Sequence, residues 1–162
     1  MRGPDQAVRE KLSRVRVLFY DFDGVMTDNR VLVDQNGTES VFVNRSDGLA
    51  VSRLKKAGYR QVIVSTETNP VVERRAEKLG IPVIHGVDDK GEILRRYLAE
   101  NGIDRGETLF IGNDLNDLPA FEAAGLRVCP ADAYGAVKQA ADLVLETAGG
   151  AGVIRELMEA LL

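Results

Sequence analysis

The 162-residue chain reads as an α/β protein built on a doubly wound parallel sheet, with a β-hairpin inserted after its first strand. Three observations predict this class. Short β-rich runs alternate with amphipathic helical stretches, the order that builds a parallel sheet with right-handed crossovers. The runs are almost wholly apolar (VRVLFY, QVIVS, TLFIG), as strands buried on both faces are. Glycine follows four of the helical stretches, at positions 58, 80, 102 and 125, where helices commonly stop.

Taken in order, residues 1–14 are polar, lack the apolar core of a secretory signal and read as an N-terminal extension. The first strand is Val15–Tyr20. Val31–Asp34 and Ser40–Val43 then flank Gln35-Asn36-Gly37, and Asn-Gly between β-rich runs is a strong hairpin signal. A helix over Gly48–Ala57 leads to a strand at Gln61–Ser65, and Pro70 sits in the first turn of a helix ending at Leu79, where its missing N–H is no loss. Strands at Pro82–Ile84, Thr108–Ile111, Leu126–Cys129 and Leu143–Leu145 alternate with helices at Lys90–Asn101, Leu118–Ala124 and Tyr134–Ala141. A last helix, Gly152–Leu162, closes the chain. No repeat or linker interrupts the pattern, and the length suits one domain over residues 1–162.

Composition narrows the function. Apolar residues make up 44% and charged residues 28%, enough for a packed core. Twenty-one Lys and Arg against 25 Asp and Glu give a net charge of −4, which argues against a nucleic-acid partner. No run approaches the apolar length of a membrane span. The single cysteine, Cys129, allows no intramolecular disulfide and reads as a small buried apolar group. A cytoplasmic protein is expected.

In an open parallel sheet, ligands bind beyond the carboxyl ends of the strands, so chemistry is sought there. Strand one runs into DFDGVMTD, placing Asp21 and Asp23 two positions apart. The second ends in Ser65-Thr66-Glu67, the third is followed by Asp88-Asp89-Lys90, and the fourth runs into IGNDLND, residues 111–117. Any one such Asp is more often a helix cap or turn former. Together they bring several like charges to one edge, where they repel unless a cation is present. Carboxylate, carbonyl and water oxygens suit a hard divalent ion such as Mg²⁺, while the lysine and hydroxyl suit an anion beside it.

DFDGVMT closely resembles the DxDGxxT motif that opens haloacid-dehalogenase-like phosphatases, and Ser65, Lys90 and GNDLND fall where that superfamily places its other three motifs. The chain resembles the capless branch of 3-deoxy-octulosonate 8-phosphate phosphatases and their sialic-acid-pathway relatives. The hairpin after motif one and GGAGVIRE, residues 149–156, resemble features of that branch. The resemblance spans Val15 to Leu162 and implies a haloacid-dehalogenase-like Rossmannoid fold with Mg²⁺ as cofactor. It implies Asp21 as the nucleophile that becomes an aspartyl-phosphate, and Asp23 as the acid and base that also offers its main-chain carbonyl to the metal. Ser65 and Lys90 would hold the phosphoryl oxygens, and Asp117 would orient Lys90 or a metal-bound water. One departure stands out. Where the family usually has the first Asp of GDD, this chain has Asn113, so the metal ligand there is either its uncharged amide oxygen or the carboxylate of Asp114.

The same resemblance points to a phosphorylated sugar acid as substrate. Thr66-Glu67 replaces the Gly-Arg usual in octulosonate phosphatases, and Glu67 with Lys78 resembles the pattern of nonulosonate 9-phosphate phosphatases. The expected substrate is therefore a nonulosonate 9-phosphate, KDN- or N-acylneuraminate-type, with octulosonate 8-phosphate as the alternative. Thr66, Glu67, Arg75, Lys78 and Asp47 are the expected substrate-binding residues. A homotetramer is expected, with the hairpin and Gly149–Arg155 near a neighbour's active site. The alternative of another class is a noncatalytic oligomerisation module associated with CMP-sialate synthesis, which Asn113 favours and the joint presence of Asp21, Asp23, Ser65 and Lys90 opposes.

Overall fold

Six parallel strands form the centre of the computed structural model, which describes residues 4–162. In chain order the elements are α1 (Gln6–Arg14), β1 (Val17–Tyr20), the pair β2 (Leu32–Val33) and β3 (Glu39–Ser40), α2 (Arg45–Lys56), β4 (Arg60–Val64), α3 (Val71–Leu79) and β5 (Val83–Ile84). They continue with α4 (Lys90–Asn101), β6 (Thr108–Ile111), α5 (Leu118–Ala123), β7 (Leu126–Cys129), α6 (Gly135–Ala140), β8 (Leu143–Val144) and α7 (Val153–Leu161). Short 3₁₀ turns cover Arg105–Glu107 and Leu115–Asp117.

The sheet order is β5-β4-β1-β6-β7-β8. From β1 the chain steps outward to β4 and β5, returns to β6 on the other side of β1, and steps outward again to β7 and β8. Direction reverses between β1 and β6, which pair in register from Val17–Thr108 to Tyr20–Ile111. Loops leaving their carboxyl ends diverge there, and a crevice opens. Side chains alternate along β1. Leu18 and Tyr20 pack with α1, α2 and α7 residues in one buried cluster, and Val17 and Phe19 with α4, α5 and α6 residues in the other. Among the described residues nothing covers the crevice as a cap domain would.

Three local differences from the sequence reading have physical causes. The N-terminal extension carries α1, whose Val8 and Leu12 are buried and whose first turn is capped by Asp5 Oδ1, accepting from the Val8 N–H at 2.9 Å. Residues 1–3 of that extension lie outside the described residues. The helix expected from Gly48 begins at Arg45, because Asn44 Oδ1 accepts from the Ser46 N–H at 2.8 Å and caps it earlier. The hairpin forms with shorter strands than expected. Asp34 Oδ1 holds its turn by accepting from the N–H groups of Asn36 and Thr38 at 2.8 and 2.9 Å. A Thr27–Val43 bridge closes its base, and every residue from Asn29 to Ser40 is exposed.

Candidate active site

β1 delivers Asp21 directly into the crevice. The Asp21 N–H still donates to the Ile111 carbonyl at 2.9 Å, so the sheet fixes its backbone. Its Oδ1 accepts from the Phe22 N–H at 2.7 Å and lies 2.7 Å from Lys90 Nζ, which leaves Oδ2 free for chemistry. The chain then turns back at Gly24, where φ is +77° and a Cβ would collide with the Asn113 amide, so a side chain is excluded twice over. Thr27 braces this turn. Its Oγ1 accepts from the N–H groups of Gly24 and Asn29, each at 3.2 Å, and donates to Asp23 Oδ1 at 3.1 Å. Asp23 is half-buried, and burial raises its carboxyl above the ordinary range, with Glu67 and Glu39 adding to the effect against the Thr27 bond.

Below this turn lies a buried charge network. Lys90, at the first turn of α4, is 1% exposed and bridges Asp21 Oδ1 and Asp117 Oδ1 at 2.7 and 2.6 Å. Asp117 Oδ2 accepts from the N–H groups of Asn113 and Asp114 at 2.8 and 3.2 Å, tying the lysine to the loop after β6. Burial pulls the Lys90 ammonium down, but its two carboxylate partners outweigh that and hold it above its ordinary value. Asp21 is pushed up, first by burial and then by Asp117, against the pull of Lys90. Two carboxylates sharing one ammonium in a dry place leave the cluster short of positive charge.

The same shortage is visible in the oxygens. With its NH₂ turned inward, Asn113 donates to the Asp23 main-chain oxygen at 2.8 Å and to Asp21 Oδ2 at 3.1 Å. With its Oδ1 turned inward, that oxygen instead faces the Asp23 main-chain oxygen and Asp21 Oδ2 at the same distances, an arrangement that a cation among them would relieve. No three His, Cys, Asp or Glu side chains converge on a metal-sized point among the described residues. The set available is one carboxylate, one carbonyl and one amide, leaving places for the waters that Mg²⁺ tends to keep. The residues present fit that ion.

The crevice is a cavity of about 100 Å³. Asp21, Asp23, Ser65 and Asn113 line its inner part, and Asn29, Thr66, Asp114 and Asn116 its mouth. Ser65 is buried, and its Oγ accepts from the Glu67 N–H at 3.1 Å. Asp114 spends Oδ1 on the Leu115 N–H at 2.7 Å, so it lies beside the oxygen cluster while capping a 3₁₀ turn. Thr66 Oγ1 accepts from Asn116 Nδ2 at 3.4 Å, a long contact across the mouth.

The remaining expected substrate residues are placed elsewhere. Glu67 Oε1 accepts from the N–H groups of Thr68 and Asn69, both at 2.9 Å, and shapes its own turn. Arg75 Nη2 donates to the Asn44 carbonyl at 3.0 Å, which turns the guanidinium toward α2. Lys78 is exposed on the last turn of α3. Asp47 is 2% exposed, and its Oδ1 accepts from the Arg155 N–H at 3.0 Å, so it caps α7. None of these four lines the cavity. Asn29 and Asn116 line it without having been singled out. Asn116 lies within GNDLND, while nothing around Asn29 marks it beyond its nearness to Asp21-Phe22-Asp23.

The segment ahead of α7 docks on this site. The Gly150 N–H donates to the Val25 carbonyl at 3.0 Å, and Asn44 Nδ2 donates to the Gly150 carbonyl at 3.3 Å. Gly150 has φ +71°, and a Cβ there would lie 2.5 Å from the Asp28 nitrogen, so only glycine lets the strands of chain approach this closely.

Paired carboxylates after β1, a buried lysine and an oxygen cluster at the switch point of a doubly wound sheet have the layout of a metal-assisted enzyme of the α/β class. The sequence profile of the haloacid dehalogenase-like hydrolase family matches residues 74–157. The 3-deoxy-D-manno-octulosonate 8-phosphate phosphatase of Haemophilus influenzae is 34% identical over 156 residues, covering 96% of this chain and 87% of that one. N-acylneuraminate cytidylyltransferase A of Danio rerio is 31% identical over 158 residues, covering 95% of this chain but 36% of that protein. The crystal structure of 3-deoxy-D-manno-octulosonate 8-phosphate phosphatase from Moraxella catarrhalis, in complex with magnesium ion, phosphate ion and KDO molecule, matches with a TM-score of 0.92 at 30% identity, covering 96% of this chain and 90% of that chain. The chain belongs to the haloacid dehalogenase-like hydrolase family.

Proposed function

We propose that the chain is a Mg²⁺-dependent phosphomonoesterase that acts on a phosphorylated sugar acid through an aspartyl-phosphate. The observation that carries this reading is the approach of the Asn113 amide to the Asp23 carbonyl at 2.8 Å and to Asp21 Oδ2 at 3.1 Å, beside the Lys90–Asp21 ion pair. These three groups would hold the metal, which when bound offsets the repulsion between an anionic nucleophile and an anionic phosphate.

The chain's own residues then have distinct tasks. Asp21 attacks phosphorus, and the ester bond to the sugar breaks. Asp23, whose carboxyl burial raises above the ordinary range, gives a proton to the departing alkoxide. As a carboxylate it then takes a proton from the water that cleaves the acyl phosphate, restoring both aspartates and releasing phosphate. Ser65 and Lys90 steady the phosphoryl oxygens as charge shifts among them.

Among sugar acids, the eight-carbon 3-deoxy-octulosonate 8-phosphate is favoured over a nine-carbon substrate. The relatives carrying that activity in their names cover nearly the whole chain. Glu67 and Lys78, which argued for the longer acid, are respectively engaged in a turn and exposed roughly 10 Å along α3 from its first residue. The resemblance to a stretch of a cytidylyltransferase keeps a noncatalytic module in view as the second reading. Against it stands the buried Lys90 network, because burying charges costs stability that a pure scaffold has no reason to spend.

A phosphate-release assay with Mg²⁺ across 3-deoxy-octulosonate 8-phosphate, a nonulosonate 9-phosphate and glucose 6-phosphate tests both levels. The expected result is turnover that favours the octulosonate ester, stops with EDTA and vanishes in Asp21→Asn. Preference for the nine-carbon ester would overturn the substrate, and full activity in Asp21→Asn would overturn the mechanism.

A further inference from the structure

We propose that Asn29 is a specificity-determining residue, whose side-chain amide hydrogen-bonds hydroxyl groups of the departing sugar at the mouth of the crevice. This rests on the phosphatase reading above and extends it to how the non-phosphate end of the substrate is recognised.

Four observations carry it. Asn29 is the one non-glycine among the described residues with a left-handed backbone, at φ +65°. Side chains rarely adopt that conformation, asparagine tolerates it better than most, and such positions cluster at functional sites. Its backbone is fixed there by the same hydroxyl that holds the acid, since Thr27 Oγ1 accepts the Asn29 N–H at 3.2 Å and donates to Asp23 Oδ1. The residue lines the cavity mouth, and its side-chain amide bonds to no other described residue, so it has no structural task to explain the cost of the backbone.

The fourth observation is size. The cavity is small, about 100 Å³, and its floor is formed by the residues that would hold the phosphoryl group, Asp21, Asp23, Ser65 and Asn113. The carbon chain of the leaving group must therefore lie at the mouth, between Asn29 and the Thr66–Asn116 pair. A carboxamide both donates and accepts, as a hydroxyl does, so this side of the mouth matches a polyol arm better than an aromatic or alkyl one.

Left-handed backbone makes the test clean, because glycine at position 29 keeps the conformation and removes only the side chain. Wild type and Asn29→Gly are compared, with Mg²⁺, on 3-deoxy-octulosonate 8-phosphate and on p-nitrophenyl phosphate, whose leaving group has no hydroxyl arm. The expected result is that the ratio of kcat/KM for the sugar ester to that for the aryl ester falls about three- to tenfold, mainly through KM, with no loss in unfolding midpoint. An unchanged ratio in an active enzyme would overturn this proposal alone. Release of phosphate from neither ester by the wild type would overturn the phosphatase reading and this inference with it.

Discussion

Lys90 balances two carboxylates at the floor of the crevice, and its removal should cost both stability and catalysis. Lys90→Met fills similar volume but leaves Asp21 and Asp117 facing each other without a cation. Breaking a buried pair in this way costs roughly 3–5 kcal/mol. Urea unfolding should register that loss, and phosphate release should fall by at least ~100-fold, as for a lost transition-state donor. Near-normal turnover in the folded variant would remove Lys90 from the mechanism. Asn113 makes the complementary case. Asn113→Asp adds a carboxylate next to Asp21 Oδ2 and the Asp23 carbonyl, so the metal-free protein should lose stability while Mg²⁺ binds more tightly. Calorimetric titration showing weaker Mg²⁺ binding would exclude Asn113 as a ligand. Asp21, Asp23, Ser65, Lys90 and Asn113 are legible in the sequence because each directly follows a strand or opens a helix, where local pattern fixes position. Asn29 is not, because its place at the mouth depends on a left-handed turn that leaves no mark in composition.

At the scale of single elements, α7 shows where local reading fails. Gly152 at its N-terminus supplies no side-chain cap, and Asp47 substitutes from 108 residues earlier in the chain. The Arg45-Ser46-Asp47-Gly48 segment looks like a substrate loop when read alone, and nothing near it names the helix it serves. For the same reason α1 and the early start of α2 are not legible in the sequence, as each depends on a single capping side chain and tertiary packing rather than on a long periodic stretch. Burial pushes the Asp47 carboxyl from 3.8 up to about 6, against the pull of the Ile154 and Arg155 N–H groups and of Arg75. The folded chain thus binds more protons than the unfolded chain between about pH 4 and 6, so this group withdraws stability as pH rises through that window. Asp47→Asn keeps an acceptor for α7 and should flatten this part of the stability–pH curve, whereas Asp47→Ala should lose about 1 kcal/mol of capping at neutral pH. Urea unfolding at about pH 4.5 and 7.5 distinguishes them, and an identical pH slope in wild type and Asp47→Asn would refute the assignment.

At the scale of the whole molecule, the hairpin is the part that its own chain does not bury. A two-stranded ribbon is marginal in water, yet this one exposes apolar side chains on β2 and on the segment that follows β3. Leu32 is 66% exposed, Val33 54% and Phe42 74%, with Leu49 of α2 exposed at 63% nearby. Single exposed apolar residues are ordinary, but several large ones on one short ribbon make it a candidate contact surface. Sequence reading locates the ribbon through Asn36-Gly37. The assembly reading makes a second copy of the chain the partner, and a charge at the centre of the patch should break it, because an unpaired carboxylate is costly to bury. Phe42→Asp should therefore lower the mass measured by light scattering to that of a smaller species while leaving the unfolding midpoint of the dilute protein nearly unchanged, since Phe42 contributes little to its own core. A wild-type chain that runs as a monomer at every concentration would rule the shared interface out, and an assembled Phe42→Asp variant would move the interface to another face.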